Sequence, residues 1–418
     1  MNILFLHQNF PAQFKHLAPA LAADPAHKVV SLTLRAGLPA VWCGVAIQQY
    51  AIQAKPVERQ HPWLIDFETK VIRGEACFQA ARQLRAQGFT PDVVIAHPAW
   101  GESLFIKQVW PKARLGLYCE FFYAQRGADV GFDPEFPQAD AETEACRLSL
   151  RNANHLLHLQ QASLGLSPTR WQADSFPAFF RPRITVTHDG IDTRALCPRP
   201  EASLTLQSGG STLRLTPADE LVTFVNRNLE PYRGYHQFLR ALPSLLRQRP
   251  YARVLIVGGD AVSYGAAPPQ GGSWKEIFIA EVKPQMPPEA WARVHFLGKL
   301  PYETYVALLQ CSRVHAYLTY PFVLSWSLLE AMSIGAAVVA SDTAPLHEVI
   351  AEGVTGRLVN FFDPAQLSQV IAELLADAPQ RQRLAAAARA QMRERYDLLS
   401  CCLPAQQRWV QALADADR

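Results

Sequence analysis

Phe224-Val225-Asn226-Arg227-Asn228-Leu229-Glu230-Pro231-Tyr232-Arg233-Gly234 is the stretch on which the fold turns. The apolar run Leu221–Val225 reads as a buried strand. A loop follows with Arg227 and Arg233 six residues apart, and Gly234 opens a helical pattern reaching about Arg249. A helix N-terminus there presents N–H groups and a partial positive charge. Two guanidiniums beside it suit a diphosphate, because their forked donors match phosphate oxygens. Spacing alone equally allows two solvated loop arginines.

The same strand-to-helix rhythm runs through the rest of the chain. Before residue 190, Ile3–Leu6, Val29–Leu34, Val93–Ala96, Leu115–Cys119 and Ile184–Thr187 read as buried strands. After it come Arg253–Val257, Val294–Leu297, His315–Leu318, Ala337–Ala340 and Arg357–Val359, with helices between them. Such alternation calls for parallel sheets covered by helices on both faces. The 418 residues exceed one core, so two α/β domains are expected, each doubly wound and Rossmann-like. Open parallel sheets bind beyond the carboxyl ends of their strands, which makes a central cleft the expected site. The expected boundaries are 1–188, a linker or hinge at 189–216 containing the Ser/Thr/Gly-rich Leu204–Thr216, and 217–397.

Composition narrows the function classes. Apolar residues make up 49% and charged residues 18%, which supplies a large core and excludes a disordered chain. The formal charge is +3 with no basic tract, which argues against a nucleic-acid partner. The eight cysteines show neither CxxC nor metal-ligand spacing and read as buried thiols of a reducing compartment. Met1-Asn2-Ile3-Leu4-Phe5-Leu6 lacks a positive n-region and a cleavage site and reads as a strand rather than a signal peptide. No run reaches the roughly 18 apolar residues of a spanning helix. A soluble, cytoplasmic protein is expected.

A second stretch is Thr319-Tyr320-Pro321-Phe322-Val323-Leu324-Ser325-Trp326-Ser327-Leu328-Leu329-Glu330-Ala331-Met332. Glu330 sits in a helix among apolar neighbours, so it must be paired or touch a ligand. N–H groups near Ser325 and Trp326 would open that helix and supply a second anion cradle.

Taken in order, Arg227…Arg233-Gly234, Val254–Gly259, Val294–Gly298, Leu329–Met332 with Gly335 and Val338–Ser341, and Glu352–Gly356 resemble the nucleotide-sugar-binding half of the family-four glycosyltransferases. Phe5–Pro11 resembles a poorly characterised bacterial subgroup of the same family. The resemblance implies the GT-B fold, with about 398–418 returning to the first domain. It implies that Arg227 lies on the donor diphosphate, with Arg233 where the family more often has Lys. It also implies that Glu330 accepts hydrogen bonds from the donor ribose, that backbone groups of Gly298, Lys299 and Leu300 meet the base, and that His97 lies near the transferred sugar.

Two positions depart from the pattern. The family places another Glu eight residues before the ribose-binding one, where this chain has Phe322. The first strand runs into His7-Gln8-Asn9-Phe10-Pro11 instead of a Gly-rich loop, which offers His7, Gln8 and Asn9 to a sugar or acceptor. Glu120-Phe121-Phe122-Tyr123 is either core edge or an acceptor platform with Glu120 as its acid, and Gly127–Pro137 reads as a flexible loop facing the cleft. His155 and His158, in an expected helix-to-strand region, read as solvated or structural, and Asp415-Ala416-Asp417 only imitates a metal-binding DxD.

The resulting expectation is a retaining, metal-independent transferase. It would move sugar from a nucleoside diphosphate sugar, its substrate rather than a cofactor, to an acceptor hydroxyl. The acceptor class stays open among glycan, lipid-linked, protein and small-molecule partners, with peripheral contact at the inner membrane face. The alternative is a nucleotide-sugar-binding protein without transfer activity, which Phe322 favours. A sugar epimerase of the same fold is a third account.

Overall fold

In a computed structural model the chain divides into two compact units, Met1–Gly190 with Leu398–Arg418, and Ile191–Asp397. The structure describes residues 1–53, 61–137, 140–208 and 211–416. Gly209-Gly210 of the Ser/Thr/Gly-rich Leu204–Thr216 stretch and Asp417 of the terminal Asp-Ala-Asp lie outside the described residues.

The first unit is built on β1 (Asn2–Leu6), β2 (Lys28–Thr33), β3 (Val41–Trp42), β4 (Val45–Gln49), β5 (Val93–Ala96), β6 (Arg114–Tyr118), β7 (Leu164–Ser167) and β8 (Ile184–Val186). They form one sheet in the order β3-β4-β2-β1-β5-β6-β7-β8. All pairs are parallel except β3 on β4. Successive residues of β1 face opposite ways, as the pleat requires. Ile3 and Phe5 pack with Val93, Ile95, Trp409 and Leu413, while Leu4 and Leu6 pack with Val30, Leu32, Val94 and Ala96. Both faces are therefore apolar, which is why these strands read as continuous hydrophobic runs. The helix Leu403–Asp415 covers the first face. Gly116 on β6 makes that approach feasible: a β-carbon there would stand 2.5 Å from Leu413 Cδ2 and 2.7 Å from Trp409 Cη2.

The second unit has a hairpin, β9 (Leu204–Ser208) with β10 (Ser211–Leu215), and six further strands. These are β11 (Leu221–Asn228), β12 (Arg253–Gly259), β13 (Val294–Gly298), β14 (Val314–Tyr317), β15 (Ala337–Ser341) and β16 (Arg357–Val359). Their order is β13-β12-β11-β14-β15-β16, parallel throughout. The helix Tyr235–Gln248 docks through Phe238, which stacks on Phe224 of β11 with ring centroids 4.4 Å apart.

Both sheets reverse their winding at the centre. In the first unit the chain goes outward from β1 in one direction and from β5 in the other, and in the second it does so from β11 and β14. The carboxyl ends flanking such a reversal leave a crevice, because the connections leave in opposite directions. His7 follows β1, His97 follows β5, the Asn228–Arg233 segment ends β11, and Tyr317–Thr319 ends β14.

Two expectations are corrected, and of the two readings given for His155 and His158 the structural one holds. Residues 189–216 are not a free linker, because from Ile191 they belong to the second unit and bury Leu196, Leu204 and Leu215 in its core. His155 and His158 lie inside the long helix Ala141–Leu159, buried and not solvated. All eight cysteines are unbridged, but Cys43 and Cys146 are exposed where buried thiols were expected.

Candidate functional site

In the second unit, β11 ends in a short 3-10 turn, Pro231–Arg233, and Gly234 starts the helix with φ +68°. A β-carbon at Gly234 would stand 2.3 Å from Leu318 Cβ, so only glycine lets the turn lie against the end of β14. The two arginines receive different environments. Arg227 is exposed at the carboxyl end of β11, whereas Arg233 is 4% exposed. Its Nη1 donates to Thr319 Oγ1 at 2.7 Å, to the Val323 carbonyl at 3.0 Å and to Tyr317 Oη at 3.4 Å. Its guanidinium carbon lies 4.9 Å from the Tyr264 ring and 5.8 Å from that of Phe322. Burial works to lower the guanidinium, but Tyr317, Tyr264 and Tyr232 together hold it above its ordinary value.

Tyr317, which the sequence reading missed, joins the two expected anion cradles. Its hydroxyl also accepts the Ser325 N–H at 2.8 Å, and Ser325 Oγ accepts the Ser327 N–H at 3.3 Å. The second cradle is thus narrower than expected around Ser325 and Trp326, since the Ser325 and Ser327 donors are used inside the fold. Glu330 is buried and accepts from Tyr302 Oη at 2.9 Å and Tyr305 Oη at 2.7 Å, one phenol on each carboxylate oxygen. The pairing that its burial demanded is supplied by neutral hydroxyls three residues apart on one helix face. Gly298 ends β13, Lys299 is exposed and Leu300 half-buried. The Lys299 side chain lies over Gly259, where a β-carbon would come 2.7 Å from its Cε.

In the first unit three histidines, His7, His97 and His188, follow β1, β5 and β8 and are buried. Each Nδ1 accepts the backbone N–H two residues on, from Asn9 at 2.9 Å, Ala99 at 3.3 Å and Gly190 at 3.1 Å. In each ring Nδ1 is thus the acceptor, which leaves Nε2 to face the site. His97 Nε2 lies 3.3 Å from Glu120 Oε2, while Glu120 Oε1 accepts from Gln13 Nε2 at 3.1 Å. Burial works to raise the Glu120 carboxyl, yet His97 and Gln13 hold it below its ordinary value. The His7 ring stands edge-on to His97 with centroids 5.4 Å apart, and burial followed by the charge of His97 lowers His7 to about 3. The fold thus brings together His7, His97 and Glu120, and adds Gln13. Gln8 uses its carbonyl on Thr33 Oγ1 at 2.9 Å and Asn9 is exposed, its N–H spent on His7.

Glu102 was also missed. It is 1% exposed, no side chain bonds either carboxylate oxygen among the described residues, and burial raises its carboxyl to about 7. Its only local signal is its position just past the β5 end, inside an apolar stretch.

Known proteins resemble the chain at three levels. A family model described as glycosyl transferase family 4 group matches residues 25–196, and one described as glycosyl transferases group 1 matches residues 214–391. D-inositol 3-phosphate glycosyltransferase of Mycobacterium sp. (strain JLS) is 30% identical over 205 residues, 49% of this chain and 42% of the relative. The protein of that name in Corynebacterium efficiens is 28% identical over 254 residues, 60% of this chain and 55% of the relative. The chain therefore spans about half the length of these curated relatives. Sucrose-phosphate synthase of Thermosynechococcus elongatus superposes with a TM-score of 0.71 at 18% identity, over 99% of this chain and 100% of the other. HepE of Anabaena, solved with UDP and glucose, superposes with a TM-score of 0.64 at 16% identity over 99% and 100%. Among the described residues no helix is long and apolar enough to cross a membrane. With one family model on each unit and whole-chain likeness to solved relatives, the chain belongs to the family-four glycosyltransferases of the GT-B fold.

Proposed function

We propose that the protein transfers a sugar from a nucleoside diphosphate sugar to an acceptor hydroxyl, with retention of configuration and without a metal. The observation that carries this reading is Arg233. Among the described residues its hydrogen bonds go to neutral oxygens, and the Glu230 carboxylate that feels its charge spends its oxygens on backbone N–H groups, so the guanidinium at the carboxyl end of the sheet is left for an anion to pair. As the glycosidic bond breaks, negative charge grows on the departing diphosphate. A fixed guanidinium in a poorly hydrated setting stabilises that charge without reorganising. Arg227, exposed at the end of β11, would reach the outer phosphate, and the Gly234 helix N-terminus would add its dipole. Glu330 would take the ribose hydroxyls by exchanging one of its two phenol bonds, and Gly298, Lys299 and Leu300 would flank the base. His97, with Glu120 and Gln13 behind it, would address the sugar, and His7, Gln8 and Asn9 the acceptor.

The acceptor is a hydroxyl compound of open class, and a lipid-linked one would draw the protein to the inner membrane face from the cytoplasm. The names of the relatives and the UDP bound to HepE support a sugar nucleotide donor and a polyol-type acceptor. Purified chain is to be titrated with UDP, GDP, ADP and TDP and their glucose conjugates, with thermal shift as readout. At least one should raise the melting temperature, and Arg233→Ala and Arg227→Ala should each weaken it about tenfold or more. Indifference to all eight ligands would remove the donor reading. A binding protein without transfer activity is the second reading, favoured by Phe322. Slow hydrolysis of the bound sugar nucleotide decides for the enzyme, and its absence across the donors that bind decides against it.

A further inference from the structure

The loop after β12 is tied down more firmly than its Gly/Pro-rich composition implies. The Glu230 carboxylate accepts three successive backbone N–H groups, from Ser263 at 3.1 Å, Tyr264 at 3.3 Å and Gly265 at 3.0 Å. Asn228 Nδ2 donates to Ser263 Oγ at 2.7 Å, and Trp274 Nε1 holds the Ala266 carbonyl at 2.8 Å. Three aligned N–H groups form an anion-binding nest, here filled by a carboxylate of the chain itself. Glu230 is 1% exposed, so the latch is shielded from water and from salt.

The latch sets one side chain in particular. Tyr264, the middle residue of the nest, spreads its ring over Arg233, with centroids 5.6 Å from Tyr232 and 5.2 Å from Phe322. Tyr264 is still 39% exposed, whereas Phe322 and Tyr232 are buried at 6% and 8%. An aromatic face thus stands beside a buried cation, and the groups around it offer rings where a polyhydroxylated ligand would otherwise meet carboxylates.

We propose that Tyr264, latched by Glu230 and backed by Phe322, is the sugar-side wall of the donor site, taking the C–H face of the transferred pyranose while Arg233 holds the adjoining phosphate. This rests on the donor reading above and names the group that discriminates a sugar nucleotide from the bare nucleoside diphosphate. Glu230 is a positioning residue: its carboxylate holds the Ser263–Gly265 backbone on which the Tyr264 ring stands. Phe322 supports the ring from behind and contributes no polar contact to the sugar.

The test uses the full chain and whichever pair among UDP, GDP, ADP and TDP and their glucose conjugates binds. Tyr264→Ala should raise the Kd of the sugar nucleotide roughly tenfold, the scale of one lost aromatic contact, and that of the nucleoside diphosphate less than about twofold. Tyr264→Phe should restore the sugar nucleotide. Glu230→Ala should reproduce the selective loss, and in the Tyr264→Ala background it should add nothing, as a residue acting through Tyr264 requires. Should Glu230→Ala not fold, the surface pair Tyr264→Ala and Tyr264→Phe still decides the matter. Equal losses for both ligands, or none for either, would overturn the wall while leaving the diphosphate site standing. Failure of every ligand to bind the unaltered chain would remove both.

Discussion

Arg233 and Glu102 meet the same difficulty in opposite ways. Each is an ionisable group taken out of water, where charge is tolerated only with partners. Arg233 keeps its charge through three neutral oxygens and two rings. Glu102 has no such set, and burial moves its carboxyl from 4.5 to about 7. The folded protein holds that proton up to about pH 7 while the unfolded chain releases it near 4.5. The resulting cost is absent below the unfolded value, grows as pH rises and is complete above the folded one. Glu102→Gln is therefore expected to stabilise the protein by about 1–3 kcal/mol at pH 8 and to change little at pH 4.5. Urea unfolding of both proteins at the two pH values measures this, and a pH-independent difference would mean that the carboxyl is hydrated.

The turn between β11 and its helix shows what a single element needs. Gly234 combines φ +68° with a 2.3 Å approach to the Leu318 β-carbon, while Gly298 has φ +63° and open space around it. Gly234→Ala should cost about 3 kcal/mol, joining left-handed strain to overpacking, and Gly298→Ala only about 1. Chemical denaturation of both variants checks the contrast, and equal losses would show that backbone strain alone governs these sites. The sequence placed Gly234 at the start of a helix and Gly298 just after a strand. It could not separate them, because the difference lies in a neighbour 84 residues further along the chain. The same holds for the helix 235–248, whose period was legible while its docking partner, Phe224, was set by the sheet.

At the scale of the whole molecule, burial of neutral imidazole sets the response to acid. Burial lowers His7 to about 3 and His158, His188 and His315 each to about 4, with the like charge of His97 adding to the effect at His7. The unfolded chain takes up these protons below about pH 6.5 and the folded chain does not, so stability falls as pH drops from there toward 4. Glu102 works in the opposite direction between 7 and 4.5 and offsets part of the loss. The urea midpoint should decline steadily from pH 7 to pH 5, by a few kcal/mol per pH unit in free energy. A flat profile would mean that water reaches these rings.

Most strand positions and the class were legible because a parallel sheet buried on both faces forces unbroken apolar runs, and crossover helices force the alternation between them. The ordered motifs from Arg227 to Gly356 located the anion-binding end of the second sheet for the same local reason, a strand stopping where a helix begins. The sequence by itself thus determined two doubly wound halves and the carboxyl ends at which to look. Tertiary structure alone decided that Arg227 is exposed and Arg233 buried, that Tyr317 links Arg233 to Ser325, that Tyr302 and Tyr305 satisfy Glu330, and that Gln13 joins Glu120 to its histidine neighbours. Those partners come from strands and helices far apart in the chain. Periodicity reports which face of an element is apolar, but the hydrogen bond that satisfies a buried polar atom depends on what the packing brings opposite it.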